Sequence, residues 1–297
     1  MSGAHRLSGA QDTRSPRTSR DSRPAFGFDL DGVLIVNPFD TCVVPRLERL
    51  LSASPSLAHL GDAEVSKRVR GAIRRGWQQR MATGDLAAAY DWDAIYIEAA
   101  EELLAPIAAR SAVDVGLWVR ECCAQGGHIR ALPGAAEMLS RLSAAGARLV
   151  VISNGYAPYQ EPVLESLGLL GYFDEVVTPD RVGYAKPDVR IFEAAGHLDA
   201  FVGDTLVHDI LGARQARIDA VWVHPSLPPA LAALGPRERA AGTHIASLVH
   251  ASLSASAHTR FHPEADLDSC RPDAVVTAMS EVADLLLDTY GPVTAQQ

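Results

Sequence analysis

Hydrophobic positions change their spacing twice along this chain of 297 residues. A short apolar run at 25–30 reads as a buried strand, and Pro38 breaks the pattern soon after it. From Val43 to Cys123, Ala, Leu, Glu and Arg dominate and apolar residues recur at helical spacing, with Gly61, Gly84 and Pro106 marking turns or breaks. Gly126-Gly127 and Pro133-Gly134 open a different architecture. Beyond them, the pattern predicts strands at 148–153, 175–178, 200–203 and 220–224. These alternate with predicted helices at 134–145, 161–169, 189–195 and 208–216. A strand at 273–277 and a helix at 279–287 close the series. The stretch 225–271 carries Pro225, Pro228, Pro229 and Pro236, then Ala, Ser and His without a clear strand.

Apolar strands separated by helices imply a parallel sheet covered on both faces, an α/β fold of Rossmann-like type with an inserted helical cap. The expected organisation is a disordered tail at 1–24, a core of 25–37 and 131–297, and a cap at 38–130, with 226–271 an atypical insertion in the core. The tail is rich in Ser and Arg and poor in apolar side chains, too little to bury a core.

Charge narrows the function. A net charge of −9 argues against a nucleic-acid partner, because phosphate backbones attract Lys and Arg. No apolar run is long enough to span a bilayer, and residues 1–24 lack the apolar stretch of a secretory signal, so a cytoplasmic location is expected. Cys42, Cys122, Cys123 and Cys270 show no metal spacing, and reduced, mostly buried thiols are expected. The basic residues are 25 Arg and only two Lys, Lys67 and Lys186. Lys186 lies in a motif, where a compact point charge serves better than a planar fork.

Four motifs follow one another, each beside a predicted strand end or helix start: Phe28-Asp29-Leu30-Asp31-Gly32-Val33-Leu34, Val150-Val151-Ile152-Ser153-Asn154-Gly155, Lys186-Pro187-Asp188, and Val202-Gly203-Asp204-Thr205 with Asp209 beyond it. In a parallel sheet the crevice lies at the carboxyl ends of the strands, so these segments should converge there. Asp29 and Asp31 are spaced to share a side of extended backbone. One carboxylate of such a pair can attack phosphorus; the other can protonate the leaving oxygen and later activate water. Asp204 and Asp209 add negative charge that a hard dication would offset, and Mg²⁺ accepts carboxylates together with phosphate oxygens. Lys186, Ser153 and the backbone N–H of Asn154 can meet a transferring phosphoryl group.

This set resembles the haloacid dehalogenase superfamily, its phosphatase branch in particular, over residues 25–224 and again at the final strand and helix. The resemblance implies a Mg²⁺-dependent phosphatase of small phosphorylated metabolites. It assigns Asp29 as nucleophile, Asp31 as general acid and base, and Ser153, Asn154 and Lys186 as phosphate-binding. The metal would be held by Asp29, Asp204, Asp209 and the backbone carbonyl of Asp31. Residues 38–130 resemble the family's small helical cap. The chain departs from the pattern at Ile35-Val36-Asn37-Pro38, at the short stretch 192–201, and at the long 225–271.

A phosphosugar mutase fits the same scaffold. A haloacid dehalogenase fits less well, because a halide needs neither acid nor metal, and a non-enzymatic binding module would be expected to lack one of these residues. The oligomeric state is not readable. The basic run Lys67, Arg68, Arg70, Arg74, Arg75 and Arg80 near Trp77 reads as a solvated helix face, and Tyr90, Trp92 and Tyr96 read as cap core. His244, His250, His258 and His262 read as surface residues, and His208 as a residue that tunes its loop.

Overall fold

The computed structural model describes residues 23–242 and 244–291. The tail expected at 1–24 lies outside them, apart from Arg23 and Pro24. Pro24 is buried, and its carbonyl accepts from the Arg148 N–H at 2.8 Å, so the end of that segment belongs to the sheet.

Six parallel strands form the centre, in the order β5-β4-β1-β6-β7-β8. They are β1 (Ala25–Phe28), β4 (Arg148–Ile152), β5 (Glu175–Val177), β6 (Ala200–Gly203), β7 (Asp219–Val223) and β8 (Ala274–Val276). β2 (Ile35–Val36) and β3 (Arg130–Ala131) pair antiparallel as a small ribbon. Side-chain alternation along the strands feeds two cores, as the pleat requires. Phe26, Phe28, Leu149, Val151 and Val202 lie in one; Val150, Ile152, Phe201, Ala220 and Trp222 lie in the other.

Between β2 and β3 runs the helical block: α1 (Val44–Ser52), α2 (Asp62–Thr83), α3 (Trp92–Glu102), α4 (Ile107–Arg110) and α5 (Val115–Gln125). Its punctuation is as the sequence predicts. Gly61 precedes α2, Gly84 ends it in the left-handed region with φ 77°, and Pro106 precedes α4. Asp91 and Asp114 cap α3 and α5 by accepting from backbone N–H groups three residues on.

α6 (Ala135–Ala144) and α14 (Met279–Tyr290) contribute buried side chains to the first core, with α7 (Ala157–Ser166). α9 (Val189–Ala194), which follows the one-turn α8 (Pro179–Val182), and α10 (Gly212–Gln215) serve the second. α9 is as short as the stretch 192–201 requires. Two helices differ from expectation. α7 starts at Ala157 rather than at 161, because Pro158 fits the first turn of a helix. The helix expected at 208–216 begins earlier, as a wide π-helical turn over Leu206–Leu211.

The stretch 225–271 folds as α11 (Pro229–Ala232), α12 (Pro236–Ala241) and α13 (His244–Ala255), then a single turn at Thr259–Phe261. It is tied down by Arg239, whose buried guanidinium donates to both carboxylate oxygens of Glu281 (2.8 and 3.0 Å) and to the carbonyls of Leu231, Ala232 and Val275.

The expectation of reduced thiols is corrected at one pair. Cys42 and Cys122 form a disulfide that joins the turn before α1 to α5, while Cys123 and Cys270 are free. The vicinal partner is not the one used: Cys122 points into the block and its neighbour does not, since successive helix positions face apart. Among the described residues no helix is long and apolar enough to cross a membrane.

Candidate active site

The chain leaves β1 for β4 and returns on the other side to β6, so β1 sits where the strand order reverses. The carboxyl ends of β1, β4 and β6 meet there, the place where open parallel sheets bind ligands. Asp29 follows β1, Ser153 follows β4 and Asp204 follows β6. Lys186 arrives from the loop between α8 and α9, and Asp209 from the π-helical turn. Asp29, Asp31, Ser153, Asn154, Lys186, Asp204 and Asp209 all line one cavity of about 570 Å³. The structure therefore brings together every residue that the motifs single out.

Lys186 is the hinge of the charge pattern. Its ammonium donates to Asp29 Oδ1 and to Asp209 Oδ1, each at 2.7 Å, and is 2% exposed. Both side-chain ends of Asn154 clamp the Lys186 backbone: Oδ1 accepts from its N–H at 2.7 Å and Nδ2 donates to its carbonyl at 3.0 Å. Asp209 Oδ2 accepts from the Thr205 N–H and hydroxyl at 2.9 and 2.6 Å. Trp222 Nε1 donates to the Asp204 carbonyl at 2.8 Å. Gln160 Nε2 donates to Asp31 Oδ2 at 3.2 Å.

Two glycines make the close approaches possible. Gly32 has φ 81°, and a Cβ there would come within 2.2 Å of Asp204 Oδ2. A Cβ on Gly203 would lie 2.2 Å from that of Asp209.

Burial dominates the electrostatics. It raises Asp29 to about 7, opposed by Lys186 and reinforced by Asp209. It raises Asp204 to about 8, with further repulsion from Asp209 and Asp29. Asp31 is also raised by burial, opposed by the Gln160 bond. Lys186 is held above the ordinary lysine range, because Asp209 and Asp29 outweigh its burial.

Oxygens of Asp29, Asp204 and Asp209 lie within 4.8 Å of one another. Asp204 Oδ1 is buried and has no hydrogen-bond partner among the described residues. Three carboxylates against one ammonium leave an excess of negative charge on hard oxygen donors. These residues fit a small hard dication such as Mg²⁺.

Two readings of the sequence are corrected here. In the basic run, Lys67 and Arg68 pair with Glu64, Arg75 with Glu102 and Arg80 with Glu98, as a solvated face would. Arg70, Arg74 and Trp77, at four- and three-residue steps on α2, line the cavity instead. Tyr90, Trp92 and Tyr96 also line it, while Tyr96 is buried in the core of the block and Trp92 packs against that core, as the cap-core reading expects. His244 and His250 are exposed, but His262 is buried and His258 lies half-buried on the cavity wall. Sequence reasoning missed Gln160 entirely and read His258 as a surface residue; no local pattern marks either as part of the pocket. Thr205 stood inside a motif without a role, and the Asn154 side chain was overlooked in favour of its backbone.

A family model described as a haloacid dehalogenase-like hydrolase matches residues 24–217. The chain belongs to this family. It is 31% identical over 220 residues to the phosphoglycolate phosphatase of Agrobacterium fabrum, covering 69% of this chain and 82% of that protein. It is 40% identical over 109 residues to the glyceraldehyde 3-phosphate phosphatase of Methanothermobacter thermautotrophicus, covering 34% of this chain and only 48% of that relative. The chain thus spans about half the length of that second relative. Two solved structures share the fold: a HAD phosphatase from Thermococcus onnurineus (TM-score 0.53, 24% identity, 69% of this chain and 88% of that one) and a 2-haloacid dehalogenase from Pseudomonas syringae (TM-score 0.55, 19% identity, 91% and 100%).

Proposed function

We propose that this HAD-like hydrolase is a Mg²⁺-dependent phosphatase that hydrolyses small phosphomonoesters through an aspartyl-phosphate on Asp29. The observation that carries this reading is the cluster of Asp29, Asp204 and Asp209 around the Lys186 ammonium, with Asp31 on the same cavity wall. The names of the relatives support it, since both matched proteins are phosphatases. A dehalogenase needs neither a proton for its leaving halide nor a metal, so it would leave Asp31 without an acid's role and the Asp29, Asp204 and Asp209 cluster without a cation to hold.

Asp29 Oδ1 is engaged by Lys186, which leaves Oδ2 to attack phosphorus. The P–O bond to the leaving group breaks as the Asp29–phosphorus bond forms. Asp31, its affinity for protons raised by burial, gives the leaving oxygen its proton. Gln160 holds the carboxyl in place meanwhile. Asp31 then takes a proton from water, which attacks the phosphoryl group and frees Asp29. Lys186, the Ser153 hydroxyl and the Asn154 N–H neutralise or bond the phosphoryl oxygens. Asp29, Asp204, Asp209 and the Asp31 carbonyl would hold Mg²⁺, which when bound would supply the remaining positive charge. Residues 38–130 act as the cap, and the β2–β3 ribbon at both ends of that block is its hinge.

A cytoplasmic location is part of the same reading. The Cys42–Cys122 bond is the feature that runs against it, because reducing compartments keep most thiols free.

Phosphate release from an aryl phosphate, with Mg²⁺ and with chelator, tests the proposal. Release is expected to need the metal and to be abolished in Asp29→Asn. Release that survives the substitution overturns the nucleophile assignment.

A further inference from the structure

The insertion after β7 returns to the site at one place. Beyond α13, His258 enters the cavity wall. Its ring meets His208 edge-on at 4.2 Å between centroids and Trp77 of α2 at 5.1 Å. The Tyr90 hydroxyl lies 3.3 Å from His208 Nε2. Rings from the cap, the fourth motif and the insertion thus join into one aromatic wall. A second wall of the same cavity is built by Phe39, Trp92 and Tyr96, with centroids 5.9 Å apart for Phe39 and Trp92 and 6.1 Å for Trp92 and Tyr96.

The cavity of about 570 Å³ is far more than a phosphoryl group on two or three carbons fills; volumes of about 300–1,000 Å³ suit whole drug-sized molecules. Aromatic rings on a pocket wall gain from a further ring, stacked or edge-on, beyond the area it buries.

We propose that the leaving group of the substrate carries a planar ring, seated between these two walls, and that His258 of the insertion selects for it. The inference rests on the phosphatase reading and narrows its substrate class. It also gives the insertion a purpose: His258 completes a wall that Trp77 and Tyr90 of the cap begin.

The test compares esters with equally poor, primary alkoxide leaving groups. Pyridoxal 5′-phosphate and uridine 5′-monophosphate carry rings; glycerol 3-phosphate does not. At least one ring ester should exceed glycerol 3-phosphate tenfold or more in kcat/KM. His258→Ala should lower that ratio at least fivefold, through KM rather than kcat, and His258→Phe, which keeps a ring, should recover part of it. The ratio cancels any general loss of folded enzyme. Equal kcat/KM for ring and open-chain esters, or an unchanged ratio in His258→Ala, overturns the ring site while leaving the hydrolase reading intact. No release from any ester overturns the hydrolase reading itself. Calorimetric titration of Asp29→Asn with the two ring esters then decides the slot without turnover: binding that weakens on adding His258→Ala supports it, and no binding refutes it.

Discussion

Lys186→Met removes the one ammonium at the centre of the site while keeping a side chain of similar length. In the native protein that ammonium is buried, 2.7 Å from two carboxylates. Removing one partner of a buried ion pair costs about 3–5 kcal/mol, because the remaining charge stays buried and uncompensated. With an unfolding entropy of about 2.1 cal/mol/K per residue, 1 kcal/mol moves the melting temperature of a protein of this size by about 1.6 °C, so the variant should melt about 5 °C or more lower in chelator at pH 8. The loss depends on pH with a definite sign. Asp29 is raised by burial to about 7 even with Lys186 opposing that shift, and it moves further up without the ammonium. A carboxyl raised on folding contributes stability below its unfolded value and loses it as pH rises through the folded value. The gap between variant and native protein should therefore widen from pH 5.5 to pH 8 and narrow when Mg²⁺ is added. Thermal melts at both pH values, with chelator and with Mg²⁺, measure it. A shift below about 2 °C at pH 8, or one that ignores pH, would refute the charge-balance argument.

Arg239→Met should cost about 3–5 kcal/mol by the same logic, whereas Arg239→Met with Glu281→Leu should recover most of it, since an apolar pair can replace a buried ionic one; thermal melts of both variants check this. The Arg239 bond lowers Glu281 below the usual carboxyl range, so the native pair's contribution is present above that range and is lost as pH falls through the lowered value. The Cys42–Cys122 bond closes a loop 80 residues apart, worth about 2–4 kcal/mol. Reductant should lower the melting temperature of the native protein but not of Cys42→Ser, and thiol titration before and after reduction should read two and four groups.

The sheet and the motif residues were legible because each obeys a local rule. Apolar runs such as Val150–Ile152 can only be buried strands when Gly and Pro bound them, and such strands in a βα series must lie parallel. Once parallel, their carboxyl ends share one edge, so Asp29, Ser153 and Asp204 had to meet. Helix starts were less legible where proline was ambiguous. Pro158 and Pro162 both lie in α7, and only tertiary packing accommodates the second.

The pocket walls were not legible, and the reason is physical. Arg70, Arg74 and Trp77 share a helix with Lys67, Arg68, Arg75 and Arg80, and nothing in the local pattern separates the basic residues that line the cavity from those that meet water. His258 is 50 residues beyond His208, in a segment without strand or motif, yet their rings touch. The disulfide is hidden in the same way: Cys42 and Cys122 are brought within a Cα distance of 6.1 Å by the packing of α5 on the turn before α1. The chemistry of the floor is therefore written in short runs of sequence, because strand ends and tight turns place it. Selectivity is written across segments that meet only after the cap and the insertion have folded onto the sheet. On the proposed reading, that division is why Trp77 and His258, rather than any motif residue, are where the substrate of this hydrolase should be read.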